Sequence, residues 1–212
     1  IEDDGTLITD DKYLWSQLRA LWVYSKLYNV IEPRQEWLDV ARNIYRFVIA
    51  HGRDSQGDWV YHVTRSGDVV EGATSIYADG FALYGLAEYY RATHDPLAKQ
   101  VAVETYHRVV ERLAAPGSYG IAPGVMPAGM KCHGISMIFS LVFWELGRAI
   151  GDREMVEEGY RHTLETMDHY RRPELKALIE YLALDNRTVD TPEGRAVIPG
   201  HAVVDTFRRR CS

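Results

Sequence analysis

Apolar residues along the chain recur mostly with the spacing of one helix face. Between Lys12 and Asn29, Leu14, Leu18 and Leu21 stand at i, i+4 and i+7, which puts them on one side of an α-helix. Trp15, Arg19, Trp22 and Lys26 form a second face of the same segment. The same periodicity predicts helices over Glu36–Ala50, Ser75–Thr93, Ala98–Leu113, Ile135–Ile150 and Arg153–Tyr170. Strand patterns are confined to two places. Trp59–Thr64, the Ser66-Gly67-Asp68 turn and Val69–Glu71 predict one short hairpin. Ala177–Leu184, followed by Asp185-Asn186-Arg187, predicts a second.

The helical segments also resemble one another. Leu83-Tyr84-Gly85-Leu86-Ala87-Glu88, ending in Ala92-Thr93-His94-Asp95, parallels Leu141-Val142-Phe143-Trp144-Glu145-Leu146, ending in Ala149-Ile150-Gly151-Asp152. Tyr24 to Pro33 is a weaker third copy. Each copy reads as helix, tight turn, helix, the αα-hairpin from which solenoids and closed α/α toroids are both built. Spacing does not separate the two. A closed toroid of six such hairpins needs roughly twice this chain, so on that reading the sequence is part of a barrel. One stretch breaks the pattern: residues 114–134 hold Pro116, Pro123 and Pro127 among five glycines. Long loops in compact domains tend to be functional, and this one is expected to cover one mouth of the toroid, with a disordered surface insertion as the alternative.

Composition narrows the function. The 212 residues are 46% hydrophobic and 25% charged, ordinary for a globular protein. A net charge of −6 argues against nucleic acid as a partner, and no apolar run is long enough to span a membrane. Two cysteines, Cys132 and Cys211, make no disulfide framework, and no leader-like segment opens the chain, so a reducing, cytoplasmic compartment is expected. The 14 tyrosines and 5 tryptophans suit a pocket for flat, polar ligands such as sugars.

Candidate chemistry begins with Arg19. It lies between Trp15 and Trp22 with no acid four residues away on either side. A guanidinium among aromatic rings can stack on them and present its donors to hydroxyls or an oxyanion; the plainer alternative is an arginine lying over tryptophans. His201, after Pro199-Gly200, sits at a predicted helix start, where the positive helix end disfavours imidazolium and keeps the ring ready to act as a base. Asp79 is either an acid facing a lumen beside Tyr77 and Phe81 or a first-turn acid of its helix. His51, His94, His107, His162 and His169 read as solvated. His133 beside Cys132 lacks zinc-ligand spacing, and no HExxH, CxxC, phosphate loop or GxSxG is present, so no metal or other cofactor is expected.

Lys12-Tyr13-Leu14-Trp15-Ser16-Gln17-Leu18-Arg19, continuing through Leu21-Trp22-Val23-Tyr24-Ser25 and Leu27-Tyr28, resembles the N-terminal signature of the N-acylglucosamine 2-epimerase family. Phe81 to Asp95, Ser136-Met137-Ile138 with Glu145-Leu146-Gly147, and Pro199-Gly200-His201 agree in order. The resemblance implies an (α/α)6 barrel, here a partial, all-α fold with short β-hairpins between helices, as a single domain over residues 1–212 incomplete at both ends. It also implies removal and return of the C2 proton of an open-chain aldose, with interconversion of N-acetylglucosamine and N-acetylmannosamine favoured. By motif His201 matches the first of two family histidines, and Arg19 matches the arginine near the sugar oxygens. Trp15, Trp22, Asp79 and Phe207 are the expected substrate-binding residues. The expected partner is a small sugar, with a homodimer compatible. Three features depart from the family pattern. Val204 replaces a glutamate, Phe207 replaces a tryptophan, and the second histidine has no match within residues 1–212. The chain alone is therefore expected to turn over poorly. The alternatives are a non-catalytic helical binding protein on this scaffold and an α/α-toroid glycoside hydrolase, for which Asp79 is the sole placeable acid although two carboxylates, roughly 5–9.5 Å apart, are needed.

Overall fold

The computed structural model describes residues 2–115 and 117–201. The chain forms two compact units, Ile1–Pro123 and Gly124–Ser212.

The first unit is two helical hairpins with a small sheet between them. Strand β1 (Lys12–Tyr13) leads into α1 (Leu14–Lys26), a π-helical turn (Leu27–Ile31) and α2 (Gln35–His51). Strands β2 (His62–Val63) and β3 (Val69–Glu71) follow, then α3 (Ile76–Thr93) and α4 (Pro96–Leu113). The expected first hairpin is present, and β1 adds to it to give the antiparallel order β1-β2-β3. Helix α1 buries Leu14, Leu18, Leu21 and Ser25, the stripe seen in the sequence. Helix α4 is likewise one-sided, burying Ala98, Val101, Ala102, Thr105, Tyr106 and Val109. Helix α3 differs: residues from Ile76 to Tyr89 are buried almost all round, because α1 packs on one side of it and α4 on another. Apolar burial of this kind stabilises by about 25 cal/mol per Å². Trp59 is fully enclosed and its indole N–H donates to Thr105 Oγ1 at 3.0 Å, so burial leaves no polar atom wanting.

Close approach of α1 and α3 depends on Gly85, where an added Cβ would stand 2.6 Å from the Leu18 carbonyl oxygen. Gly85→Ala is expected to lower stability by about 1–3 kcal/mol, although alanine is the better helix former by ~1 kcal/mol. A urea titration checks this; an unchanged or raised midpoint would mean the two helices part without cost.

The second unit holds β4 (Met130–Cys132), α5 (His133–Ile150), α6 (Arg153–Glu165), a π-helical turn (Thr166–Tyr170) and three short strands. These are β5 (Arg171–Arg172), β6 (Ala177–Leu178) and β7 (Tyr181–Ala183). Helices α5 and α6 pack as a hairpin. Tyr170, Leu178, Ile179 and Leu182 form a buried cluster behind them.

The repeat proves to be a turn with a definite mechanism. Helix α3 ends on His94 in the left-handed region (φ 53°), and Asp95 then caps α4 by accepting from the N–H groups of Leu97 and Ala98, with Pro96 in the first turn. Helix α5 ends on Gly151 (φ 77°), and Asp152 caps α6 through the Met155 N–H. The weaker copy closes differently, on the π-helical turn, and Arg34 supplies no side-chain cap to α2.

Two expectations need correction. Ala177–Leu184 is not one hairpin strand: Ala177–Leu178 pairs with Arg171–Arg172, whereas Tyr181–Ala183 pairs with Met130–Cys132. Residues 185–187 do form a turn, with Asn186 at φ 69° and its N–H donating to the Ala183 carbonyl. His162, read as solvated, is instead packed against Phe139 and Phe143, and burial pulls its pKa down to about 4. The Gly/Pro segment is anchored at residues 120–122: Ile76 N–H donates to the Gly120 carbonyl and Ser75 Oγ to that of Ala122.

Candidate active site

The first group of candidate residues lies on α1 and α3. The spacing of Trp15, Arg19 and Trp22 sets them on one face of α1, beside Phe81 and Tyr84 of α3. The Arg19 guanidinium lies 5.1 Å from the Trp15 ring centre and 4.3 Å from that of Phe81. Trp22 stacks on Tyr84 at 4.6 Å with the planes 12° apart. Among the described residues Arg19 has no carboxylate partner, so its donors face no internal anion. Trp22 Nε1 is buried and, among the described residues, lacks an acceptor. The surface therefore offers flat apolar faces and one cationic fork, a combination suited to sugar carbons and a developing oxyanion.

Asp79 is not brought to this surface. It sits in the first turn of α3, as expected, but two residues before Phe81, about 200° round the helix. Its carboxylate is buried and accepts from Arg112 of α4 at 2.9 Å. Arg112 also lies 4.0 Å from Asp58, which Arg108 holds at 2.9 Å. Burial pushes the Asp79 pKa up to about 7; Arg112 opposes that rise and the Asp58 charge adds to it. The lumen-facing alternative is thus corrected to an interhelical ion pair.

The second group lies in the other unit. Residues 199–201 are helical, and His201 is partly exposed. Its Nδ1 stands 2.9 Å from Glu180 Oε2. Glu180 follows β6 and is buried, together with His133 at the start of α5. His133 Nδ1 is 3.7 Å from the same carboxylate oxygen, and the Gly134 N–H donates to Glu180 Oε1 at 3.4 Å. Burial disfavours the Glu180 anion, but the His201 hydrogen bond and the two imidazoles beside the carboxylate outweigh it, holding the carboxyl below its usual pKa. An ionised Glu180 only accepts, so His201 donates through Nδ1–H and keeps its lone pair on Nε2. That is the tautomer a base needs, and the carboxylate behind it would stabilise the imidazolium after proton uptake. Val204, Asp205 and Phe207 lie outside the described residues.

Sequence reasoning passed over Glu180 and His133. One signal for Glu180 was present: it is the only charged residue in the apolar run Ala177–Leu184. His133 was judged by its neighbour Cys132, whereas its partners are distant in sequence.

The likeness to solved structures defines the fold. The crystal structure of a sugar epimerase from a ruminal bacterium superposes with a TM-score of 0.74 at 20% identity, covering 85% of this chain and 50% of that one. Such matches show the fold, that of the (α/α)6-barrel proteins. The model of the N-acylglucosamine 2-epimerase (GlcNAc 2-epimerase) family matches residues 1–125, and the chain belongs to that family. Cellobiose 2-epimerase of Bacteroides fragilis is 37% identical over 100 residues, 47% of this chain and 25% of the relative. N-acylglucosamine 2-epimerase of Bos taurus is 26% identical over 211 residues, 94% of this chain and 49% of the relative. The chain thus spans at most about half the length of these curated relatives. Among the described residues no helix is long and apolar enough to cross a membrane.

Proposed function

We propose that the chain carries the C2-deprotonating half of a sugar 2-epimerase acting on an open-chain aldose. The observation that carries this reading is His201 in the Pro199-Gly200-His201 motif, with Nδ1 tied to a buried, ionised Glu180 and Nε2 left as the basic atom. His201 Nε2 takes the C2 proton, the electron pair moves toward the C1 carbonyl oxygen, and an enolate forms, which is an enediolate where C2 carries a hydroxyl. The match of Arg19 to the family arginine supports a role in supplying positive charge to a developing oxyanion, and the flat faces of Trp15 and Trp22 suit sugar carbons. Returning the proton to the opposite face of C2 gives the epimer, and that step needs a second acid for which residues 1–212 offer no motif match.

N-acetylglucosamine and N-acetylmannosamine are the favoured substrates, because the match to relatives named N-acylglucosamine 2-epimerase runs along 94% of the chain. A disaccharide ending in an aldose is the second reading, favoured by the 37% identity to a cellobiose 2-epimerase over the shorter stretch. Proton NMR in D2O tests both. With N-acetylglucosamine, N-acetylmannosamine, mannose and cellobiose in turn, one sugar is expected to lose its C2 proton signal, with little or no epimer formed. Failure of all four to exchange at any pH from about 6 to 8, where a base near neutrality operates, would overturn the proposal.

A further inference from the structure

The cluster of His133, Glu180 and His201 offers more than proton transfer. Its three ligating atoms, two imidazole nitrogens and one carboxylate oxygen, lie within 4.8 Å of one another. Glu180 Oε2 stands 2.9 Å from His201 Nδ1 and 3.7 Å from His133 Nδ1. Bonds of ~2.0–2.1 Å to a tetrahedral zinc ion put ligand atoms about 3.3 Å apart, a spacing between those two values. The buried pair is held by its own backbone: the His133 N–H donates to the Glu180 carbonyl at 2.7 Å, and the Glu180 N–H to that of Ala196 at 2.7 Å. The Gly134 N–H on Glu180 Oε1 is the kind of outer partner that orients a ligating carboxylate. His201 is the partly exposed member, which leaves a side of the cluster open to solvent.

We propose that His133 Nδ1, Glu180 Oε2 and His201 Nδ1 bind a divalent transition-metal ion of the zinc type, and that binding switches off proton abstraction. Two imidazoles and one carboxylate suit Zn2+, whereas Ca2+ and Mg2+ prefer oxygen ligands throughout. Coordination at His201 Nδ1 moves the ring's single proton to Nε2. That atom then has no lone pair for the C2 proton. This inhibitory half rests on the proposed function; the binding half does not.

The test uses the whole chain, stripped with EDTA and titrated with Zn2+ by calorimetry, then with Co2+ followed through its visible absorption. One Zn2+ per chain is expected, with a rise in Tm, and Co2+ should give the intense bands of a four-coordinate site. His133→Ala, Glu180→Gln and His201→Ala should each weaken Zn2+ binding by at least the ~10–100-fold that loss of a mere supporting partner costs. Circular dichroism establishes that each variant is folded; should one fail to fold, the stoichiometry and Co2+ spectrum of the unaltered chain still decide. No zinc uptake by that chain, or folded variants that bind as tightly as it does, overturns the proposal. In the C2-exchange assay one equivalent of Zn2+ should stop exchange and EDTA restore it, and exchange that persists with zinc bound overturns the inhibitory half. A chain that binds zinc but exchanges no sugar when metal-free sinks the epimerase reading and supports the metal site, so the two failures are distinct.

Discussion

His201→Ala is expected to slow C2–H exchange by about 10²–10⁴-fold, the range by which a positioned general base accelerates proton transfer. The loss should fall on kcat, since the imidazole acts on the proton in motion. Glu180→Gln makes a sharper test. An amide in place of the carboxylate can still occupy the space, but it no longer imposes Nδ1–H on His201 and no longer stabilises an imidazolium. Losing the carboxylate behind a catalytic histidine costs up to ~10⁴-fold where the pair is fully enclosed. His201 is partly exposed, so a fall of about 10–10²-fold is the expectation here. Glu180→Asp, which keeps the charge on a shorter arm, should recover part of the rate. Single-turnover exchange measured by NMR on all three variants checks this. Equal rates for Glu180→Gln and the unaltered chain would remove Glu180 from any part in positioning the base.

The contact between Glu180 and His201 gives this argument its weight. A carboxylate 21 residues away in sequence meets the histidine. Such an arrangement cannot be read from a local motif. What was legible in the sequence was local: the Leu14, Leu18, Leu21 stripe became the buried face of α1, and the recurring aspartates became helix caps. The Trp15, Arg19, Trp22 face was legible for the same reason, as one helix carries all three. Residues whose placement depends on distant partners were not. The carboxylate of Asp79 is set by Arg112 on the next helix, His162 by two phenylalanines of α5, and the strands at 177–183 by two different neighbours. Periodicity states which side of a helix is apolar; it does not state which charge waits opposite.

Arg112→Met is expected to destabilise the first unit in a strongly pH-dependent way. Asp79 has a folded-state pKa of about 7 against an ordinary 3.8. Between those values the folded chain binds more protons than the unfolded one, so this group's contribution to stability is complete below the lower value and is lost as pH rises through the upper. Near pH 5 the carboxyl is neutral with or without Arg112, and the substitution should cost about 1–2 kcal/mol, the worth of a hydrogen bond and some packing. Near pH 8 Asp79 in the unaltered chain is largely ionised and paired. The variant must then bury an unpaired charge or hold the proton against the solvent, and breaking a buried pair costs about 3–5 kcal/mol. Because loss of Arg112 drives the Asp79 pKa higher still, the variant should keep losing up to ~1.4 kcal/mol per pH unit where the unaltered chain levels off. The double variant Asp79→Asn, Arg112→Met removes both charges and should be nearly flat with pH. Urea midpoints across that range decide the matter. A cost for Arg112→Met that is the same at both ends would mean Asp79 stays ionised throughout, and that the pair resists protonation despite its burial.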